Sequence, residues 1–309
     1  MHIKVLNLKN ELLNFNNLLK KYENNIINLY YILDKSFDYW KDAFSSYYYD
    51  DFCDKKNRTF GIIEDVKFLR NMYIYIEENY SQFGKEIEFN LNKKNEMIEL
   101  FKNLTENTIK LADSYNNLNL SFIPDEYNDI IDQKNDTLIT KNMLNNIKDK
   151  YIDNFNLIEN IEKNVLHKAS KYSIDIVTIK VNDYINSNKE NKNISSVYIG
   201  KEDLKSIVES STMYVEEQKS LLLNFKETYE SIKNYYNSDN NRILNSLWLQ
   251  TIDNMDSLIK YYLNFIDVLN YIISLYDDTV ERYNKSFKAL ENSTMLTNNI
   301  KLEAGDNND

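Results

Sequence analysis

The chain has 309 residues, is 42% hydrophobic, and carries a net charge of -11 with a pI near 4.9. That length can bury a sizeable core in one to three domains, while the acidic balance argues against broad contact with the phosphate backbone of a nucleic acid. With 4 Gly and 1 Pro, turn chemistry is scarce, so sheets joined by tight hairpins are disfavoured.

A single cysteine, Cys53, excludes an internal disulfide framework and leaves the redox compartment open. No apolar run reaches the roughly 18 residues of a membrane span. The start, MHIKVLNLKNELLNF, lacks the basic head and uninterrupted apolar run of a conventional signal peptide, so the localisation is cytoplasmic or exported by another route. Asn, Lys, Ile and Tyr are abundant and Arg occurs only at Arg58, Arg70, Arg242 and Arg282, a bias that fits an AT-rich genome.

In chain order, residues 8 to 40 carry Leu8, Leu12, Phe15, Leu19, Tyr22, Ile26, Leu29, Leu33, Phe37 and Trp40. Steps alternating between three and four through Leu33 make a coiled-coil-like seam. KDAFSSYYYDDFCDKKNRTFG loses the period, and a bend or loop is expected within it. A second stripe at Ile62, Val66, Leu69, Tyr73, Ile76, Tyr80, Phe83 and Ile87 is expected to continue towards Leu104, weakened at Gly84 by about 1 kcal/mol. Two such helices joined near a Trp predict a helical hairpin over residues 1–105.

SYNNLNLSFIPDEYNDIIDQKNDT holds the only proline, Pro124, and reads as a connector that includes one short helix. From Thr140 a helical pattern returns through Leu144, Ile147, Tyr151, Phe155, Ile158, Ile161 and Val165. SIDIVTIKV fits helix or strand; with no second strand pattern nearby, helix is the expectation. NSNKENKNISS, residues 186 to 196, reads as a linker that closes a middle segment at 106–196.

The last unit, 197–295, opens on a stripe at Leu204, Ile207, Tyr214, Leu221, Phe225, Tyr229, Ile232 and Tyr236, with Ser211 and Gln218 as polar interruptions. DNN at 239 to 241 is placed to break the helix. Beyond it, Leu258, Tyr262, Phe265, Leu269, Ile272, Tyr276, Val280 and Tyr283 mark one face of a helix about 50 Å or more long at roughly 1.5 Å per residue. Such a face needs a partner helix. Residues 296–309 form a polar tail.

The two ends look like a repeat. LLNF recurs at Leu12 and Leu222, each followed by a Trp (Trp40, Trp248), and HIKV at His2 and VYIG at Val197 open the two units alike. The fold expected is all-α: long antiparallel helical hairpins, two Trp-containing units packing as an elongated helical bundle.

A short extended start, a long helix, a Trp before a turn and a second long helix resemble the WXG-type small substrates of type VII secretion. The best match is the last unit, with I-G-K-E-D-L at Ile199, L-x-x-L-W ending at Trp248, and Y-D-D-T-V-E-R-Y from Tyr276. The Gly that the family carries two residues after its Trp is Asp42 in the first unit and Gln250 in the last, so the resemblance rests on helix pattern and Trp position. It covers residues 1–105 and 197–290. The family's Tyr-x-x-x-Asp/Glu export signal occurs at Tyr30, Tyr47, Tyr73, Tyr198 and Tyr235, a frequency expected by chance with 25 Tyr and 48 acidic residues.

No constellation points to catalysis or a cofactor. His2, His167 and Cys53 are too few and scattered for a zinc site, no positioning signature accompanies Cys53 as a nucleophile, and GKED at Gly200 lacks P-loop spacing. Asp50/Asp51, Glu77/Glu78 and Asp277/Asp278 are sequence neighbours, which point about 100° apart on a helix and do not converge on one substrate. Each Trp is either a core residue closing a hairpin end or, as the resemblance implies, an exposed patch for a secretion ATPase or partner. Tyr47, Tyr48 and Tyr49 cannot all face one core, which suits an interface. The candidate partner-binding residues at bends are therefore Trp40, Asp42, Tyr47, Tyr48, Tyr49, Trp248 and Gln250. The function expected is a non-enzymatic protein–protein interaction module, monomer or homodimer, whose partner is secretion machinery or another helical hairpin protein. The alternatives are an intracellular coiled-coil scaffold, a structural or phage-related protein, and the helical targeting half of a toxin.

Overall fold

The seam that opens the chain forms α1, Val5–Asp34, in which Leu8, Leu12, Phe15, Leu19, Tyr22, Ile26, Leu29 and Leu33 are all buried. In the computed structural model the chain is all-α, and among the described residues the strands are two residues long. It describes residues 1–41, 43–88, 93–116, 127–177 and 198–305; residues 117–126 of the Pro124 connector and the 186–196 linker lie outside them, whereas the connector's ends, 114–116 and 127–137, are helical, so the helix expected from Thr140 begins at Tyr127. Before α1 stands β1, His2–Ile3. After it come the one-turn α2, Ser36–Tyr39, and β2, Trp40–Lys41. Ser36 is buried, and its Oγ donates to the Leu33 carbonyl at 2.6 Å, satisfying an acceptor freed at the helix end.

Three further expectations need correction. α3, Ala43–Tyr80, takes in all but the first two residues of the stretch expected to hold a bend or loop. The period survives there in disguise: Ser45, Phe52, Lys55, Thr59 and Ile62 are the buried positions, and three of them are not apolar. The Thr59 hydroxyl bonds both the Lys55 carbonyl (2.8 Å) and Tyr262 Oη (2.6 Å), which makes a polar seam residue affordable. The second stripe does not run on towards Leu104. It ends in a 3₁₀ turn, Ser81–Phe83, and Gly84 takes φ 124°, a region that favours glycine, before β3, Ile87–Glu88. Finally, α5, Tyr127–Lys171, stops short of the ambiguous stretch, and residues 172–177 are not helical. There the Asn254 amide replaces a neighbouring strand: its Oδ1 accepts from Val177 N (2.8 Å) and its Nδ2 donates to the Asp175 carbonyl (2.9 Å). The remaining elements are α4, Lys94–Asn116; β4, Tyr198–Ile199; α6, Lys201–Tyr235; β5, Tyr236–Asn237; and α7, Asn241–Gly305. The break expected at DNN is the turn between β5 and α7.

The chain forms two compact units, each drawing on both ends of the sequence rather than on one contiguous stretch. Unit 1 comprises Met1–Leu13, Leu69–Ser173 and Tyr229–Leu247. In it β1 lies between β3 and β5, antiparallel to both, with Ile3 opposite Ile87 and Tyr236. Ile3, Tyr73, Ile76, Tyr80, Phe155 and Tyr236 are among its buried residues. Unit 2 comprises Asn14–Phe68, Ile174–Thr228 and Trp248–Asp309. In it β2 pairs antiparallel with β4, Trp40 opposite Ile199. Within unit 2, Lys67 meets Glu23 at 3.0 Å while Tyr30 meets Phe60 and Phe52, the falling-against-rising order of an antiparallel pair.

The pairings expose a repeat with one fixed interval. Ile3 faces Tyr236 and Trp40 faces Ile199; Lys4 N donates to the Tyr235 carbonyl (2.8 Å) and Gly200 N to the Tyr39 carbonyl (2.7 Å). Each residue of the first set has its counterpart 196 positions on (199 − 3 and 236 − 40 both give 196). Burial follows the same interval through both long helices: Leu8/Leu204, Leu19/Val215, Leu29/Phe225, Phe52/Trp248, Thr59/Met255 and Val66/Tyr262 are all buried pairs. The LLNF match at Leu12 and Leu222 is therefore out of register by two heptads. By the structural register Trp40 corresponds to Tyr236, and Trp248 to Phe52. Trp248 and Gln250 accordingly lie inside α7 and not at a bend.

Gly200 is required by close approach. A Cβ there would stand 2.9 Å from Tyr39 Cδ1 and 3.2 Å from its Cβ. Gly200→Ala is expected to cost about 1–2 kcal/mol by forcing the Tyr39 side chain off the β2–β4 pair; a urea titration against wild type measures it.

Candidate functional site

The first bend is a closed aromatic core. Trp40 is 1% exposed; Phe37 stacks on it at 6.1 Å and Tyr48 tilts against it at 5.4 Å. Phe37 continues the cluster to Tyr49 (5.0 Å) and Phe265 (5.5 Å), and Phe265 to Phe52 (5.4 Å). Trp248 is also buried, edge-on to Phe15 at 4.9 Å. Both Trp side chains are thus core, and neither presents its ring to a partner. Of the tyrosine triplet, Tyr48 is half-buried and Tyr49 is exposed at its edge, while Gln250 is exposed on α7. Asp42 and the Tyr47 side chain lie outside the described residues.

The titratable groups give no convergent chemistry among the described residues. His167 is exposed, and His2 Nε2 contacts Glu86 Oε1 at 2.7 Å. Cys53 belongs to unit 2 and both histidines to unit 1. A hydrogen bond with Cys53 is the first cause of the raised pKa of Tyr49. No group of three His, Cys, Asp or Glu among the described residues could hold a metal ion.

Among the described residues of unit 1 the fold buries one carboxylate, Glu162 of α5, whose side-chain partners are all neutral. Its Oε1 accepts from Tyr80 Oη (2.6 Å) and Tyr236 Oη (2.9 Å); its Oε2 accepts from Ser238 Oγ (2.5 Å) and Asn240 Nδ2 (2.8 Å). Four donors saturate the two oxygens, leaving no lone pair aimed at a substrate. The arrangement ties α5 to the end of α3 and to the turn before α7. It sets register. Burial, then the neighbouring Glu162 charge, pushes the Tyr80 and Tyr236 phenols well above their ordinary range, so both remain hydrogen-bond donors.

Unit 2 has a smaller counterpart. Gln218 is fully buried in the α6 seam and its Nε2 donates to Asn25 Oδ1 at 2.6 Å; Asn25 Nδ2 donates to Glu217 Oε2 at 2.6 Å. A polar pair inside a heptad seam specifies register at a cost in stability. Gln218→Leu would strand the buried Asn25 carbonyl and is expected to lose about 1–3 kcal/mol, whereas the double change Gln218→Leu with Asn25→Leu recovers most of it. Urea midpoints of the two variants separate these outcomes.

The surface the sequence did not single out is the α4–α5 arm of unit 1. The two helices meet where Phe101 packs on Tyr151 at 5.7 Å and Lys94 covers the Phe155 ring at 4.5 Å. Yet no described side chain between Lys93 and Asn154 is buried. Leu100, Leu111, Ile139, Met143 and Ile147 are half or more exposed, with Met143 at 59%. Two amphipathic helices alone cannot cover their apolar residues, and exposed patches of this kind mark interaction sites. The stripe through Leu144, Ile147 and Tyr151 is visible in the sequence; its lack of cover is not.

No known protein family matches the chain, and no solved structure does. Protein PFC0760c of Plasmodium falciparum is 27% identical to it over 218 residues, which is 62% of this chain and 6% of that protein. The chain thus spans a small fraction of that relative's length.

Proposed function

We propose that this chain is a non-enzymatic helical protein–protein interaction module, of the kind that type VII secretion substrates or their helical partners represent. The observation that carries the reading is the α4–α5 arm, where large apolar side chains stand exposed on two long helices. The contacting surface on this reading is Leu138, Ile139, Met143 and Ile147 of α5, offered to the apolar face of a partner helix. The tandem repeat of strand, long helix, strand and long helix supports the resemblance to hairpin-forming secretion substrates. The buried Trp side chains argue against the Trp patch as the recognition element.

The second reading, an intracellular coiled-coil scaffold, draws support from the length of α7, which runs to Gly305. A cross-linkable residue at Met143, expressed in cells carrying the gene, tests the interaction. A covalent adduct that disappears when Leu138, Ile139 and Ile147 become Ser supports the module; no adduct in either case refutes it. The three replacements are expected to leave stability within about 0.5 kcal/mol each, because the side chains are exposed. Recovery of the protein from the medium only while a secretion ATPase is intact selects the first reading. Retention in the cell regardless selects the scaffold.

A further inference from the structure

The repeat shows where the second half departs from the first. In unit 1, β1 is paired on both sides, with β5 along one edge and β3 along the other; on the β3 side Ile3 stands opposite Ile87 and His2 opposite Glu88. Its counterpart in unit 2, β4, is paired with β2 alone among the described residues. By the interval of 196, the residues that answer to β3 are Tyr283 and Asn284, and these lie inside α7. The cause is local. The chain reversal after α3 passes through Gly84 at φ 124°, and the residue at that place in the second half is Val280. A β-branched side chain is strained there, so α7 runs on as a helix.

Strand alternation fixes which backbone groups are left over. Gly200 N donates to the Tyr39 carbonyl as Lys4 N donates to that of Tyr235. Neighbouring residues in a strand turn their N–H and C=O to opposite edges. The backbone groups of Ile3 therefore meet β3, and those of Ile199 point to the uncovered edge. A further contact differs in the same way. Leu6 N, in the first turn of α1, donates to the Lys85 carbonyl at 3.2 Å, while Glu202 N, its counterpart in α6, has no such partner among the described residues. Burial follows: Ile3 is 0% exposed, whereas Ile199 is half-buried and Tyr198 is 56% exposed.

We infer that the outer edge of β4 is a strand-addition site for a short extended segment of another protein, bound as β3 is bound in the first half. The first half specifies the ligand. It runs antiparallel to β4, sets an aliphatic residue opposite Ile199, exchanges both backbone hydrogen bonds with it, and offers the carbonyl two residues earlier to Glu202 N. The chain's own segment of this kind, β3, is already paired with β1, so the occupant comes from a different protein. A two-residue edge offers few hydrogen bonds, which makes the complex weak and transient. The inference does not use the α4–α5 arm and stands or falls apart from it.

Disulfide trapping on the full chain tests it. Chains carrying Cys53→Ser and Tyr198→Cys are equilibrated in a thiol–disulfide buffer with capped peptides built on residues 83–88, FGKEIE. In a peptide with Glu88→Cys, the new thiol faces position 198 in a non-hydrogen-bonded pair, with Cα atoms about 4.5 Å apart and within disulfide reach. In one with Glu86→Cys it lies two residues along, about 7–8 Å away and out of reach. The first peptide is expected to cross-link about tenfold more than the second, and Ile87→Asp in it should abolish the difference. Ile199→Pro in the chain removes the N–H that faces the ligand and spares the bond from Gly200 to Tyr39, so helicity should persist while the yield falls to that of the second peptide. A preference for the Glu86→Cys peptide, no cross-link above that of a scrambled sequence, or a yield indifferent to Ile199→Pro would each overturn the proposal. So would a wild-type dimer that Ile199→Pro dissociates, since the edge would then belong to a second copy.

Discussion

Replacing Glu162 by Leu is expected to remove about 3–5 kcal/mol from the stability of the fold. The loss of the carboxylate is the smaller part. Leu leaves two phenolic hydroxyls, the Ser238 hydroxyl and the Asn240 amide aimed at an apolar side chain, and Tyr80 and Tyr236 are both buried too deeply for water to replace the acceptor. Each stranded donor costs about 1–3 kcal/mol, discounted because Ser238 and Asn240 are part-exposed and can turn to solvent. Glu162→Gln retains one acceptor but sets an amide N–H against donors, so an intermediate loss of about 1–2 kcal/mol is expected. The diagnostic variant is the triple change Glu162→Leu, Tyr80→Phe, Tyr236→Phe. It removes acceptor and buried donors together and should recover at least half the loss, in a cycle read from urea midpoints. If Glu162→Leu alone stays within about 0.5 kcal/mol of wild type, the network contributes no net stability.

The all-α class and the seam of α1 were legible because its steps of three and four are apolar and unbroken from Leu8 to Leu33, although Asn25 is buried beside them. The first half of α3 was not, since its seam uses Ser45, Lys55 and Thr59, and an apolar count cannot see a threonine satisfied by Tyr262. The repeat was visible but misplaced. In a heptad sequence a shift of two heptads keeps every seam position on the seam, so LLNF at Leu12 and Leu222 aligned as well as the true register. That slip moved Trp248 onto a bend it does not occupy, and with it the expected recognition site. Strand pairing resolves the register because a two-residue strand tolerates no shift. The Glu162 network was hidden for another reason: its members are spread from Tyr80 to Asn240, and no local spacing announces them.

Raising the pH past about 10 is expected to unfold the protein cooperatively within one to two pH units. Tyr22, Tyr261 and Tyr262 in unit 2 and Tyr73, Tyr80 and Tyr236 in unit 1 all have phenols pushed above their ordinary value, with burial the first cause in each. In the unfolded chain these groups lose their protons near pH 10, while in the fold they keep them. The unfolded state therefore binds fewer protons above that pH, and stability falls as pH rises; below it the two states bind alike and the stabilisation is intact. Each group contributes about 1.4 kcal/mol per pH unit, so six acting together approach about 8 kcal/mol per unit, comparable with the whole stability of a typical domain. The tyrosinate absorbance of the buried rings should appear in one step that coincides with the loss of helical circular dichroism. Tyr22→Phe removes one titrating group at little cost in volume, so it should flatten the alkaline limb by one proton and move the midpoint upward. Ionisation of those rings while the helical signal persists would mean that their burial does not hold the phenols neutral. The coupling of protonation to folding would then be wrong for both units.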